Sequence, residues 1–229
     1  MINDIVVPIS DRHDEKESFF KIKLNKDKQL DFEEIFGNKR PVTMEIGVGK
    51  GEFIAMYSRF HPERNFIGIE LKDKRIVTTL KKLDPIKNSN VRILKLFVDK
   101  DIKNYVKLSS IDEIIVYHPD PWPKTRHHKH RLFQHHFIDA LNLILKIGGY
   151  IKISTDDPNY AKWIVNLFGQ REDFETMYDE GYTMIAPDDH FRTFFDDIKS
   201  KEGFEPYFMF YKKSVGDISD VPQCIKTYP

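Results

Sequence analysis

The run Val42–Phe53, VTMEIGVGKGEF, decides the fold. Val42–Ile46 is a short apolar segment of buried-strand character, and Gly47, Gly49 and Gly51 follow at alternate positions before helical spacing begins at Glu52. A strand that enters a helix through such a turn brings its backbone close to a ligand, because glycine has no Cβ to hold the ligand off. The spacing differs from the GxGxxG dinucleotide fingerprint, whose last glycine falls one residue later, and it lacks the GK[ST] ending of a P-loop. Glu45, just before the turn, is placed to meet a cationic amino-acid group or an ordered water. Glu70 ends the next apolar segment, where an acid can accept both hydroxyls of a ribose. Together these residues suit a nucleoside whose tail carries an amino acid rather than a pyrophosphate.

Outward from this turn, strand-length apolar runs alternate with helical patterns. Phe66–Glu70, Val91–Val98, Ile114–Tyr117 and Tyr150–Ser154 read as strands, and Phe204–Tyr211 as a later one. Glu52–Phe60, Lys72–Leu83, Phe133–Leu145 and Pro158–Phe168 read as helices, the third stopping at Gly148-Gly149. This alternation predicts an α/β chain whose mostly parallel sheet is covered on both faces. Residues 1–40 read as an N-terminal arm with one short element (Phe32–Phe36), 41–213 as the folded domain and 214–229 as a C-terminal tail.

Composition bounds the class. A chain of 229 residues, 40% hydrophobic, can bury a sizeable core as one domain. No apolar run approaches the roughly 18–20 residues of a membrane span, and no signal-peptide pattern is visible, so the expectation is a cytoplasmic protein. The single cysteine, Cys224, excludes an intrachain disulfide framework. The formal net charge is zero, but residues 124–131 (KTRHHKHR) hold four Lys/Arg and three His with no acid. Acids exceed bases between Arg171 and Glu205, so segregated charge still allows one basic face.

That basic run leaves the loop after the fourth strand, VYHPDPWPKTRHHKHRL. Chemistry in open α/β sheets gathers at the C-terminal ends of central strands. Pro119, Pro121 and Pro123 restrict the backbone around Asp120 and Trp122, so both are held in place. Lys124, Arg126, Lys129 and Arg131 then offer donors suited to phosphate oxygens. His127, His128 and His130 lack a nearby acid at ligand spacing, and no metal is expected. The segment reads as a catalytic loop whose exit holds a polyanion.

EIGVGKGEFI, GIELKDKRI, HPDPWPKTRHHKHR and STDDPNYA together resemble the bacterial tRNA (guanine-N7-)-methyltransferase family, over roughly Asp31 to Tyr211. The resemblance implies a class I (Rossmann-like) methyltransferase fold with a seven-stranded sheet, S-adenosylmethionine as cofactor and tRNA as partner; the sequence leaves monomer and homodimer both open. It implies that Glu45, Glu70 and the glycine turn bind the cofactor, that Asp120 is catalytic beside it, and that Lys124 and Asp156 contact RNA. A further family motif, Thr-Lys-Phe-Glu, falls on Thr193–Asp196.

Two positions depart from the pattern. The family's adenine-reading aspartate falls on Phe97, with Asp99 as a substitute if the strand end is shifted. Phe194 replaces the motif lysine and Asp196 shortens its glutamate, leaving Thr193 and Asp196 as candidate substrate contacts. Two other readings stay open on the sequence: a methyltransferase for a non-RNA substrate, and an RNA-binding protein with an inactive methyltransferase fold.

Overall fold

The computed structural model describes residues 9–187, 190–191, 203 and 205–214. Strands β1 (Lys21–Ile22), β2 (Val42–Ile46), β3 (Asn65–Ile69), β4 (Val91–Leu94), β5 (Ile111–Tyr117), β6 (Leu145–Thr155), β7 (Phe174–Thr176) and β8 (Tyr207–Lys213) form one sheet. Their order is β1-β4-β3-β2-β5-β6-β8-β7, parallel from β1 through β6 and antiparallel where β8 meets β6 and β7.

Strands β2 and β3 are buried at every residue. A parallel strand covered on both faces is buried residue by residue, so neither strand alternates, and their polar members Thr43, Glu45 and Asn65 are buried with the rest. On one face lie α3 (Glu52–Phe60) and α4 (Asp73–Lys82), packing Phe53, Ile54, Ile76 and Leu80 into the core. On the other lie α5 (His135–Ile144) and α6 (Pro158–Phe168), packing Phe137, Ile138, Tyr160 and Ile164. The chain leaves β2 for β3 on one side and returns as β5 on the other. That reversal opens a crevice beyond the carboxyl ends of β2 and β5, where ligands bind in open α/β sheets.

Three features correct the sequence expectation. The sheet has eight strands rather than seven, because Lys21 and Ile22 pair with Ile93 and Leu94 at its edge. The stretch expected as an arm also holds α1 (Ile9–Phe20), whose Phe20 is fully buried among residues of α3, α4 and β4. Burying one such ring contributes about 1.5–3 kcal/mol, which fastens the helix to the domain. Finally, α5 ends at Ile144, ahead of Gly148-Gly149, and those glycines lie inside β6. The buried Lys213 ammonium donates to the carbonyls of Asn142 and Leu145 at 2.7 and 2.9 Å, capping the helix from a distant strand.

Candidate active site

At the crevice lies a cleft of about 520 Å³. Its walls are the residue pairs Ile46–Gly47 and Ile69–Glu70, the segments Leu96–Val98 and Tyr117–Asp120, with Trp122, Lys129 and Arg131 at one side. Gly47, Gly49 and Gly51 have φ of 87°, 57° and 76°, a left-handed backbone that glycine adopts without cost. The glycine at position 51 has a second reason. A Cβ there would lie 2.6 Å from Thr79 Cγ2, so its absence lets α4 close against the turn.

The turn's amides are largely used within the protein. Those of Gly47 and Val48 donate to the Ile69 carbonyl at 2.8 and 3.1 Å. The amide of Gly49 donates to Glu70 Oε2 at 3.1 Å, while Glu70 Oε1 accepts from the amides of Leu71 and Lys72 at 2.8 and 2.9 Å. Glu70 therefore ties the glycine turn to the end of β3 and keeps acceptor capacity on Oε2. This wiring is not that of an anion nest, in which free N–H groups converge on a phosphate.

Behind the turn, Glu45 is buried, and its Oε2 has no hydrogen-bond partner among the described residues. Burial pushes its pKa up to about 8, and Glu52 and Glu70 add to the rise by repulsion. A buried carboxylate oxygen lacking a donor is costly, and an ammonium group brought to it would satisfy it. Gly47 and Glu70 line the cleft, whereas Glu45, Gly49 and Gly51 are not among its lining residues; an acceptor such as Glu45 suits an ammonium and Glu70 Oε2 a hydroxyl, the chemistry of an amino-acid-bearing nucleoside. Phe97 is 58% exposed on the cleft wall, giving a flat apolar face where an acid was the pattern. Asp99 does not line the cleft; it caps the 3-10 helix Lys100–Asn104 and accepts from the Asp101 amide at 2.9 Å.

The loop after β5 is rigid in two ways. His118 and Trp122 have φ of 48° and 43°, conformations that cost a bulky residue about 1–3 kcal/mol and persist only where the surroundings hold them. The amide of His118 donates to the Ser154 carbonyl at 2.9 Å, and beside Trp122 the loop is held by Arg131, which donates from Nε to the Pro121 carbonyl at 2.9 Å. Its guanidinium lies 5.0 Å from the ring centre of Tyr160 and 5.1 Å from that of Trp163. Tyr160, pushed up to about 12 chiefly by burial, stays neutral, and its oxygen accepts from the Phe133 amide at 3.1 Å. Asp120 stands exposed at the cleft on this loop.

The basic residues divide. Lys124, Arg126 and Lys129 are exposed on the 3-10 turn Thr125–His130 and its cap. Arg131, expected beside them as a phosphate ligand, is 3% exposed and braces the loop from beneath. Asp156 is half-buried at the end of β6 outside the cleft lining, and Asp157 caps α6, accepting from the Tyr160 amide at 2.8 Å. Thr193, Phe194 and Asp196 lie outside the described residues, as does Cys224. Among the described residues no group of three or more His, Cys, Asp or Glu could hold a metal ion, and no helix is long and apolar enough to cross a membrane. Sequence reading missed the inward turn of Arg131; the one signal was its place at the end of the basic run, next to apolar Leu132 and Phe133.

Residues 39–194 match the sequence model of a family described as "Putative methyltransferase". The tRNA (guanine-N(7)-)-methyltransferase of Nitrosococcus oceani is 32% identical over 186 residues, covering 81% of this chain and 77% of that protein. The enzyme of the same description from Nitrosomonas europaea is 39% identical, covering 63% of this chain and 65% of its own length. For that from Thermotoga maritima the values are 34%, 63% and 46%, so the match spans about half of that longer relative. Among solved structures, the 16S rRNA methyltransferase KamB superposes with a TM-score of 0.60 at 12% identity, covering 82% of this chain and 95% of that one. The 16S rRNA (adenine(1408)-N(1))-methyltransferase from Catenulisporales acidiphilia, solved with cosubstrate SAM, gives 0.55 at 13% identity, covering 85% and 98%. These two likenesses carry the fold.

Proposed function

The chain belongs to the tRNA (guanine-N(7)-)-methyltransferase family, and from that premise we propose that it methylates N7 of a guanine in tRNA, using S-adenosylmethionine, in the cytoplasm. The observation that carries the reading is the placement of Asp120. Its carboxylate stands on a strained, clamped loop, at the cleft mouth of the switch point, immediately before an exposed basic turn.

The cofactor supplies a methyl group on a sulfonium: the N7–carbon bond forms as the carbon–sulfur bond breaks, its electron pair staying on sulfur. Glu45 would accept from the amino-acid ammonium, and Glu70 Oε2 would accept from a ribose hydroxyl. Phe97 would pack against the adenine in place of an acid, and the three glycines would leave room for the tail. Guanine N7 already carries an in-plane lone pair, so no base is needed to activate it. The work left to the protein is orientation. Asp120 accepts from the guanine N1–H or exocyclic amine, fixes the base edge-on and stabilises the positive charge the purine gains. Lys124, Arg126 and Lys129 hold tRNA phosphates, with Asp156, Thr193 and Asp196 as further substrate contacts. Arg131 acts through the loop.

The reading is tested with Asp120→Ala in single-turnover transfer to unmodified tRNA. Loss of a preorganised charge partner lowers the rate about a hundredfold or more, while cofactor affinity falls far less. A rate near wild type would overturn the assignment.

A further inference from the structure

We propose that Trp122 is the platform on which the target guanine stacks, and that its indole face stabilises the charge the base acquires on methylation. The inference rests on the proposed activity and concerns the same cleft.

The chain has two tryptophans, and the fold treats them differently. Trp163 is half-buried, donates from Nε1 to the Phe133 carbonyl at 2.9 Å and lies against Arg131. Trp122 is 38% exposed on the wall of the cleft that also holds Asp120. Its φ of 43° is one that a bulky side chain adopts at a cost, and Arg131 enforces it through the Pro121 carbonyl. His127 and His130 meet the ring at 5.8 and 5.2 Å between centres, with interplanar angles of 85° and 48°. The indole is thus fixed by backbone strain and two imidazoles, yet left uncovered beside the carboxylate. A ring braced only for packing would gain more from burial.

Chemistry supplies the occupant. Every base has a π-face that stacks on an aromatic side chain. Methylation at N7 uses the ring lone pair and leaves the purine cationic, and tryptophan is the best aromatic partner for a cation. The stack therefore tightens as the N7–carbon bond forms, so it favours the transition state over the bound guanine. Asp120 meets the base at its edge and Trp122 at its face.

The test uses full-length protein labelled with 5-fluorotryptophan, whose two fluorine resonances are assigned with Trp122→Phe. Adding a tRNA substrate shifts the Trp122 resonance and leaves that of Trp163 in place; the same tRNA carrying 7-methylguanine shifts it further. In turnover assays Trp122→Ala lowers kcat about tenfold or more, and Trp122→Phe recovers part of the loss, with cofactor Kd unchanged. A Trp122 resonance unmoved by a tRNA that the enzyme methylates overturns this inference and leaves the activity standing. Absence of transfer to any tRNA overturns both.

Discussion

Arg131 Nε donates to the carbonyl oxygen of Pro121 at 2.9 Å, closing the loop that carries Asp120 and Trp122 onto helix α6. The guanidinium lies against Tyr160 and Trp163, so a charged group serves as packing as well as hydrogen-bond donor. Lysine lacks both the flat face and the Nε geometry. Arg131→Lys should lower kcat about tenfold, with cofactor affinity unchanged, since the near-attack geometry depends on the loop. Loss of the buried bond should also cost about 1–3 kcal/mol. Turnover and melting temperature check both; wild-type values in each would show that the loop holds itself.

Glu45 gives a pH signature with a definite sign. Its pKa rises from 4.5 to about 8, first through burial. Between those values the unfolded chain has released a proton that the folded chain keeps, so the contribution is present at low pH and is lost as pH rises. Glu45→Gln should therefore melt with a flatter decline across that window. Pairing Glu45 with the ammonium of S-adenosylmethionine, as proposed, would release the same proton, so wild-type Kd should fall as pH rises, by at most about tenfold per pH unit. Calorimetry at several pH values reads this, and an equal slope in wild type and Glu45→Gln would contradict it.

The glycine turn separates stability from binding. Gly51→Ala drives a methyl group to 2.6 Å from Thr79 Cγ2 and keeps a φ of 76°, so overpacking adds to backbone strain. The two together should cost about 2–5 kcal/mol. Gly47→Ala, with φ of 87° and nothing within 4 Å of the added Cβ, carries the strain alone. It should melt higher than Gly51→Ala. Equal melting temperatures would mean that α4 shifts freely away from the turn.

The exposed basic turn should govern the salt dependence of tRNA binding. Each phosphate contact contributes about 0.7–0.9 to the slope of log K against log salt. Removing Lys124 and Arg126 should reduce the slope by about 1.4–1.8. Removing Arg131, which is buried, should not change it. Filter binding across a salt series distinguishes these outcomes, and an unchanged slope in the double variant would place the phosphates elsewhere.

The fold was legible where local pattern and tertiary environment agree. The residues of β2, α3 and α6 fall where periodicity, the glycine turn and Pro158 put them. Strand β1 has two residues and exists only because β4 offers an edge, so no local signal could announce it. The end of α5 depends on Lys213, far along the chain, whose buried ammonium no helix-stop rule anticipates. At the site, the prolines around Asp120 and the acids at Glu45 and Glu70 stood out as residue types in a telling order. The inward turn of Arg131 did not, because a run of basic residues carries no record of which side chain faces Tyr160. The wiring of Glu70 to three amides was equally invisible, since it arises when the glycine turn packs against the end of β3.

The position of the transferred methyl group tests the proposed activity most directly. Purified protein is incubated with methyl-labelled S-adenosylmethionine and unmodified tRNA, and the product is cleaved by borohydride and aniline, which break the chain at 7-methylguanine. Label should enter tRNA and cleavage should fall at a single guanine, with both slowed about a hundredfold or more in Asp120→Ala. Labelled tRNA that resists cleavage, or no label beside an active control enzyme, would contradict that activity.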